Sequence, residues 1–169
     1  MTTREPVFDA QEILRVLTAH SVDFVVIGGI AVQAHGYIRW TKDLDVIARP
    51  TTLNFARLTE AFRELEAELR GSGTLTLTDP HQLRRAPLVP VMTTAGPLDV
   101  VGIDHVAGPP RSYDTLRHTA LVVELSGSEV AVAGLSDLIR MKRAAGRDHD
   151  LADIEALTRR PDDRPDEST

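Results

Sequence analysis

The stretch that most constrains this chain runs from Phe24 to Ala48, FVVIGGIAVQAHGYIRWTKDLDVIA. Its apolar opening, Phe24-Val25-Val26-Ile27, has the length and side-chain types of a buried strand. Gly28-Gly29 breaks that strand, and Ile30 to His35 reads as a short helix closed by Gly36. A polar, aromatic loop from Tyr37 to Lys42 leads into a second strand, Asp43-Leu44-Asp45-Val46-Ile47-Ala48. Asp43 and Asp45 are two apart, so on a strand they share one face, about 7 Å apart at Cα. Two such carboxylates repel each other and lose hydration, which a fold tolerates for a cation or for proton chemistry. A Gly-Gly turn or a D-x-D strand end is ordinary by itself. Their order and spacing carry the functional reading.

Each half supplies what the other lacks. Two glycines let a ligand approach the backbone closely, and N–H groups at the start of the next helix can hold a phosphate. Carboxylates on the adjacent strand supply Mg²⁺, which bridges to phosphate oxygens. A phosphate cradle beside a metal dyad is what nucleotidyl transfer needs. The stretch resembles the DNA polymerase beta-like nucleotidyltransferase superfamily, whose pattern is a GG or GS turn, a short helix, then D-x-D on the next strand. It is most similar to the branch with G-G-x-A…H-G…R-x-T-x-D-x-D, which includes abortive-infection and type IV toxin–antitoxin nucleotidyltransferases. Gly28, Gly29, Ala31, His35, Gly36, Arg39, Thr41, Asp43 and Asp45 fill that pattern. Ile30 stands where many relatives carry Ser, which leaves phosphate contact to the backbone.

The rest of the chain is read around this unit. Asp9 and Glu12 form a capping-box pattern before a helix over residues 9–20. A second helix is predicted from Thr51 or Thr52 to about Arg70, with Phe55, Leu58, Phe62, Leu65 and Leu69 as its core stripe and Gly71-Ser72-Gly73 as its stop. Thr74 to Thr78 alternates like a half-buried strand, and residues 79–90 read as irregular. Leu88–Thr94 and Leu98–Ile103 read as strands around an Ala95-Gly96-Pro97 turn. The second holds Leu98-Asp99-Val100-Val101, and an acid inside an apolar strand is costly unless paired or metal-bound. Asp99 is therefore the candidate third carboxylate, preferred to Asp104 at the strand end, and the resembled superfamily draws its third acid from such a strand. Residues 120–133 read as a hairpin around Ser126-Gly127-Ser128, followed by helices through Ala145 and over Asp148–Leu157.

The segment LSDLIRMKRAAGRDHDLADIEAL resembles the branch's C-terminal motif, L-x-x-L-I-x-x-K…G-R-x-K-D-x-x-D. Lys142, Arg147, Asp150 and Asp153 match it, and His149 replaces the usual Lys. The resemblance covers roughly residues 10–158 and implies an α/β (α+β) fold, a small mixed and largely antiparallel sheet flanked by helices; length reads as one domain over residues 1–158, and the charged, Pro-rich segment 159–169 reads as a disordered tail. The resemblance also implies that Asp43, Asp45 and Asp99 are the catalytic and metal-binding residues for Mg²⁺ or Mn²⁺. It further implies that Gly28, Gly29, Arg39, Lys142 and Arg147 bind the NTP. The implied partners are a tRNA acceptor and a cognate antitoxin protein.

Composition narrows the alternatives. The absence of cysteine excludes disulfides, thiolate zinc sites and a thiol nucleophile. No apolar run is long enough to cross a bilayer, so the sequence reads as a soluble cytoplasmic protein. A net charge of −6 argues against broad non-specific nucleic-acid binding, although Arg39, Lys42, Arg84 and Arg85 would line a local basic groove if their loops converge. No P-loop, G-x-S-x-G or dinucleotide fingerprint is present. Three function classes are consistent with this pattern. One is an enzyme moving NMP to tRNA, a protein or an antibiotic. The others are a catalytically silent nucleotide- or partner-binding module, and a toxin–antitoxin interaction subunit working through the tail or the 79–90 loop.

Overall fold

The computed structural model describes residues 6–108, 112–125 and 127–159. Helix α1 (Ala10–Ala19) starts where its cap dictates: Asp9 accepts a hydrogen bond from the Glu12 N–H, and Ile13, Leu14, Val16 and Leu17 are buried. Strand β1 (Phe24–Ile27) is buried at every residue. Helix α2 (Gly28–Ala34) begins two residues earlier than the glycine pair suggests. Gly28 opens it at φ +69°, a value that favours glycine. Strand β2 (Leu44–Ala48) begins one residue later than expected, which leaves Asp43 at the end of the preceding loop.

The largest departure follows helix α3 (Thr52–Glu64), capped by the Thr51 hydroxyl. The apolar stripe predicts a helix to about Arg70, yet α3 stops at Glu64. Glu66 takes a left-handed conformation, φ +48°, and the chain turns into strand β3 (Glu68–Leu69). Its pairing with Met92 and Val91 gives these residues sheet hydrogen bonds in place of helical ones. The alternating Thr74–Thr78 segment forms no strand, since β3 already occupies the neighbouring edge. The supposedly irregular stretch holds helix α4 (Pro80–Arg85). Asp79 caps it by accepting from the His81 and Gln82 N–H groups, and Pro80 sits in its first turn.

Strands β4 (Leu88–Thr93) and β5 (Gly96–Val101) meet at a turn on Thr94 and Ala95, so Gly96 belongs to the strand and not to the turn. Helix α5 (Tyr113–Thr119) is capped by Ser112, and strands β6 (Leu121–Leu125) and β7 (Ser128–Val132) form the expected hairpin. Ser126 of its expected turn lies outside the described residues, as does the 160–169 part of the tail. Helices α6 (Leu135–Ala145) and α7 (Asp148–Thr158) are separated by Gly146, φ +64°.

The described strands form one seven-stranded sheet in the order β3-β4-β5-β2-β1-β7-β6. It is mixed and mostly antiparallel: only β2–β5 and β1–β7 run parallel. Alternation sorts the side chains. Leu98 and Val100 of β5 and Leu44 and Val46 of β2 are buried in the core, which leaves Asp99 and Asp45 on the opposite face. Among the described residues no helix is long and apolar enough to cross a membrane.

Candidate active site

Sheet register builds the site. Asp45 and Asp99 are direct partners across the parallel β2–β5 pair, so their side chains stand side by side on one face. Asp43 joins them from the loop end, where the Thr41 hydroxyl lies 3.2 Å from its carbonyl oxygen and 3.4 Å from its carboxylate. One carboxylate oxygen from each of the three acids lies within 4.8 Å of the others. Asp45 is pushed up to about 7, first by burial and then by Asp43 and Asp99, with Arg147 and Lys142 only partly offsetting the rise. Burial raises Asp99 as well, Arg70 opposes that rise, and Asp43 adds to it.

Gly28 has no room for a side chain. A Cβ there would collide with Oδ2 of Asp45, so the backbone at the start of α2 lies directly against the carboxylate. A Cβ on Gly29 would come 2.8 Å from Oγ1 of Thr41 and 3.0 Å from Nη1 of Arg39. No side chain caps α2, so no side-chain acceptor takes up the N–H groups of its first turn. Gly28, Gly29, Arg39, Asp43, Asp45, Asp99, Lys142 and Arg147 all line one cavity of about 270 Å³. A larger cleft of about 540 Å³ shares Gly28, Asp45, Asp99, Lys142 and Arg147, and adds an apolar wall that includes Leu88, Val101, Val106, Leu138 and Met141.

The cations of this cavity are already engaged. The Lys142 ammonium is buried, 2.7 Å from Asp153 and 3.4 Å from Asp150. Arg39 reaches Asp153 at 3.1 Å, and Arg147 donates to Asp150 at 2.8 Å through Nε. Asp150 also accepts the Arg147 backbone N–H, which closes the start of α7. Asp150 and Asp153 thus tie the loop before β2 and helix α6 to helix α7. Both fill positions of the C-terminal sequence motif, but the motif alone gives them no task.

Two further differences concern arginines. Arg84 and Arg85 line a separate cavity with Pro50, Gly102, Asp104 and His105, so they do not converge with Arg39 in one groove. Arg70 was hidden by the expectation of a continuous helix, and it donates through Nη2 to Oδ1 of Asp99. The early end of α3 is what brings it there, and a left-handed Glu66 leaves no clear mark in a sequence.

Comparison with known proteins agrees with this architecture. No curated protein matches the sequence significantly. Among solved structures, TM1012 of Thermotoga maritima, assigned to the nucleotidyltransferases, superposes with a TM-score of 0.55 at 15% identity, over 86% of this chain and 88% of that one. ANT(2'')-Ia in complex with adenylyl-2''-tobramycin gives 0.56 at 12% identity, over 86% and 83%. An antigenic nucleotidyltransferase-like protein of Paracoccidioides brasiliensis gives 0.53 at 17% identity, over 87% and 72%. At these identities the likeness is one of fold. The sequence itself matches a family model over residues 7–159, and the chain belongs to that family, the nucleotidyltransferases of unknown function DUF6036.

Proposed function

We propose that this protein is a Mg²⁺- or Mn²⁺-dependent enzyme that transfers NMP from an NTP to an acceptor, with Asp43, Asp45 and Asp99 as its metal-binding and catalytic residues. The observation that carries this reading is the approach of three carboxylates within 4.8 Å on one sheet face, against the bare backbone of Gly28. Carboxylate oxygens are hard donors, so this set fits Mg²⁺ or Mn²⁺ better than a softer metal. When bound, the metal offsets charge on the phosphate oxygens during in-line displacement. Gly28 and Gly29 offer backbone N–H groups to the β- and γ-phosphates. Arg39, Lys142 and Arg147 line the same cavity and oppose the charge that builds on the leaving pyrophosphate. Lys142 acts there by sharing its charge, because Asp150 and Asp153 hold it in place. Asp99 draws the proton from the acceptor hydroxyl as that oxygen attacks the α-phosphate.

The acceptor we place first is the 3′ end of tRNA, in a cytoplasmic toxin whose partner is a cognate antitoxin protein, as the sequence resemblance implies. The second is a small molecule such as an antibiotic, favoured by the fold likeness to ANT(2'')-Ia. The apolar wall of the larger cleft suits the flat face of a nucleobase. The test is to incubate the protein with each α-labelled NTP and Mg²⁺, in the presence of total tRNA, an aminoglycoside panel or no acceptor. Label in tRNA supports the first acceptor, and label confined to an aminoglycoside supports the second. Label in neither would overturn both acceptors, and no label from any NTP in a total protein extract as well would overturn nucleotidyl transfer and leave a silent binding module.

A further inference from the structure

Arg70 lies immediately after β3, and its N–H donates to the Pro90 carbonyl of β4 at 2.9 Å. Pro90 is the register partner of Asp99, which is the partner of Asp45, which is the partner of Ile27. Arg70, Pro90, Asp99 and Asp45 therefore form one row across the sheet. Pro90 has no long side chain to block the path, and the guanidinium reaches over it to Oδ1 of Asp99. Its Nε is buried with no hydrogen-bond partner, so the side chain leaves a donor unmet while making this contact. The arrangement is asymmetric. Among the described residues, Asp99 is the one member of the three that has an ion pair; neither Asp43 nor Asp45 has one.

We infer that Arg70 is a positioning residue of this site, holding one oxygen of Asp99 so that the other faces Asp43, Asp45 and the incoming acceptor. The inference rests on the nucleotidyl-transfer reading and adds to it a division of labour. Asp43 and Asp45, with no cation paired to them, carry most of the metal affinity. Asp99, partly neutralised, is kept in place for the acceptor. Arg70 is then a cation held close to a metal site, which weakens metal binding in exchange for orientation.

Removing Arg70 should therefore improve metal binding and impair turnover, a pairing that a purely structural edge contact would not give. Mn²⁺ titrations followed by electron paramagnetic resonance should show about five- to tenfold tighter binding in Arg70→Ala than in wild type, with Arg70→Lys close to wild type. In the transfer assay Arg70→Ala should lose about a hundredfold in kcat with the KM for NTP little changed, and Arg70→Lys should recover part of it. Arg70→Gln removes the charge but keeps a polar side chain with an amide donor, two bonds shorter than arginine, and serves if the alanine variant does not fold. Mn²⁺ binding that is unchanged or weaker in the Ala or Gln variant would overturn the inference. Should wild type label no acceptor, the nucleotidyl-transfer reading fails, and the Mn²⁺ comparison still decides whether Arg70 orders Asp99 at a metal site.

Discussion

The β1–β2 pair carries carboxylates at both ends, and the two ends treat them in opposite ways. Where β1 begins, Asp23 accepts from Nε of Arg49 and, at 2.7 Å, from the Tyr113 hydroxyl. Asn54 holds the Asp23 backbone through its N–H and its carbonyl. Arg49 lies over the Tyr113 ring, 4.7 Å from its centroid, and also reaches Asp114. Burial would raise the Asp23 carboxyl, yet Arg49 and Tyr113 hold it below the usual carboxylate range. At the other end Asp45 lies between Asp43 and Asp99 and is pushed up to about 7. A carboxylate that builds the fold comes with its counter-charge. Asp45, which we propose as a metal ligand, is left short of one, in contrast also to Asp99 with its Arg70 partner.

The largest test of this contrast is Asp45→Asn. It removes a metal ligand and relieves like-charge repulsion, so transfer should fall by about a thousandfold or more while the metal-free Tm holds or rises. Turnover within about tenfold of wild type would remove Asp45 from the chemistry. Next comes Gly28→Ala. Its Cβ would displace the Asp45 carboxylate and occupy a left-handed backbone, so transfer should drop about a hundredfold, with about 1 kcal/mol of lost stability. Normal turnover would mean that the Asp45 side chain moves aside freely.

The two ends should also differ in sign with pH. Asp45 is raised in the folded state, so its stabilising contribution is complete below the ordinary carboxylate range and is lost as pH climbs through about 7. Thermal melts of metal-free protein should fall in Tm across that range, and added Mg²⁺ or Asp45→Asn should flatten the fall. Asp23 is lowered, so its contribution is present at neutral pH and is lost as pH falls below the ordinary carboxylate value. A metal-free Tm indifferent to pH around 7 would show that the acids do not strain one another. The smallest effect is expected from Asp23→Asn: about 1 kcal/mol of stability, discounted for a third of its side chain being exposed, with transfer per folded molecule unchanged. A large loss of transfer in that variant would erase the distinction between the two ends.

What the sequence made legible is the part in which local signals and tertiary structure agree. The Phe24–Ile27 run and the Asp9 cap act within a few residues and appear as read, while the D-x-D pair meets on one face although Asp43 lies just before the strand. Asp99 was legible because an acid among Leu98, Val100 and Val101 is costly without a partner, and register alone then brings it to Asp45. The misread region runs from Leu65 to Arg85. There an amphipathic stripe favoured more helix, while pairing with Met92 and Val91 favoured a strand. Long-range pairing won, and Arg70 came with it. The mutual engagement of Lys142, Arg39 and Arg147 with Asp150 and Asp153 was equally hidden, since spacing along α6 and α7 does not reveal which charges meet across helices.

The central claim is that the three acids bind a divalent metal together with an NTP. Calorimetric titration of NTP into wild-type protein, in Mg²⁺ and again in EDTA, tests it most directly. The expected result is binding in Mg²⁺ that weakens about tenfold or more in EDTA, and that Asp43→Asn combined with Asp45→Asn brings down to the EDTA level. Equal NTP affinity with and without metal, unchanged in the double variant, would contradict it.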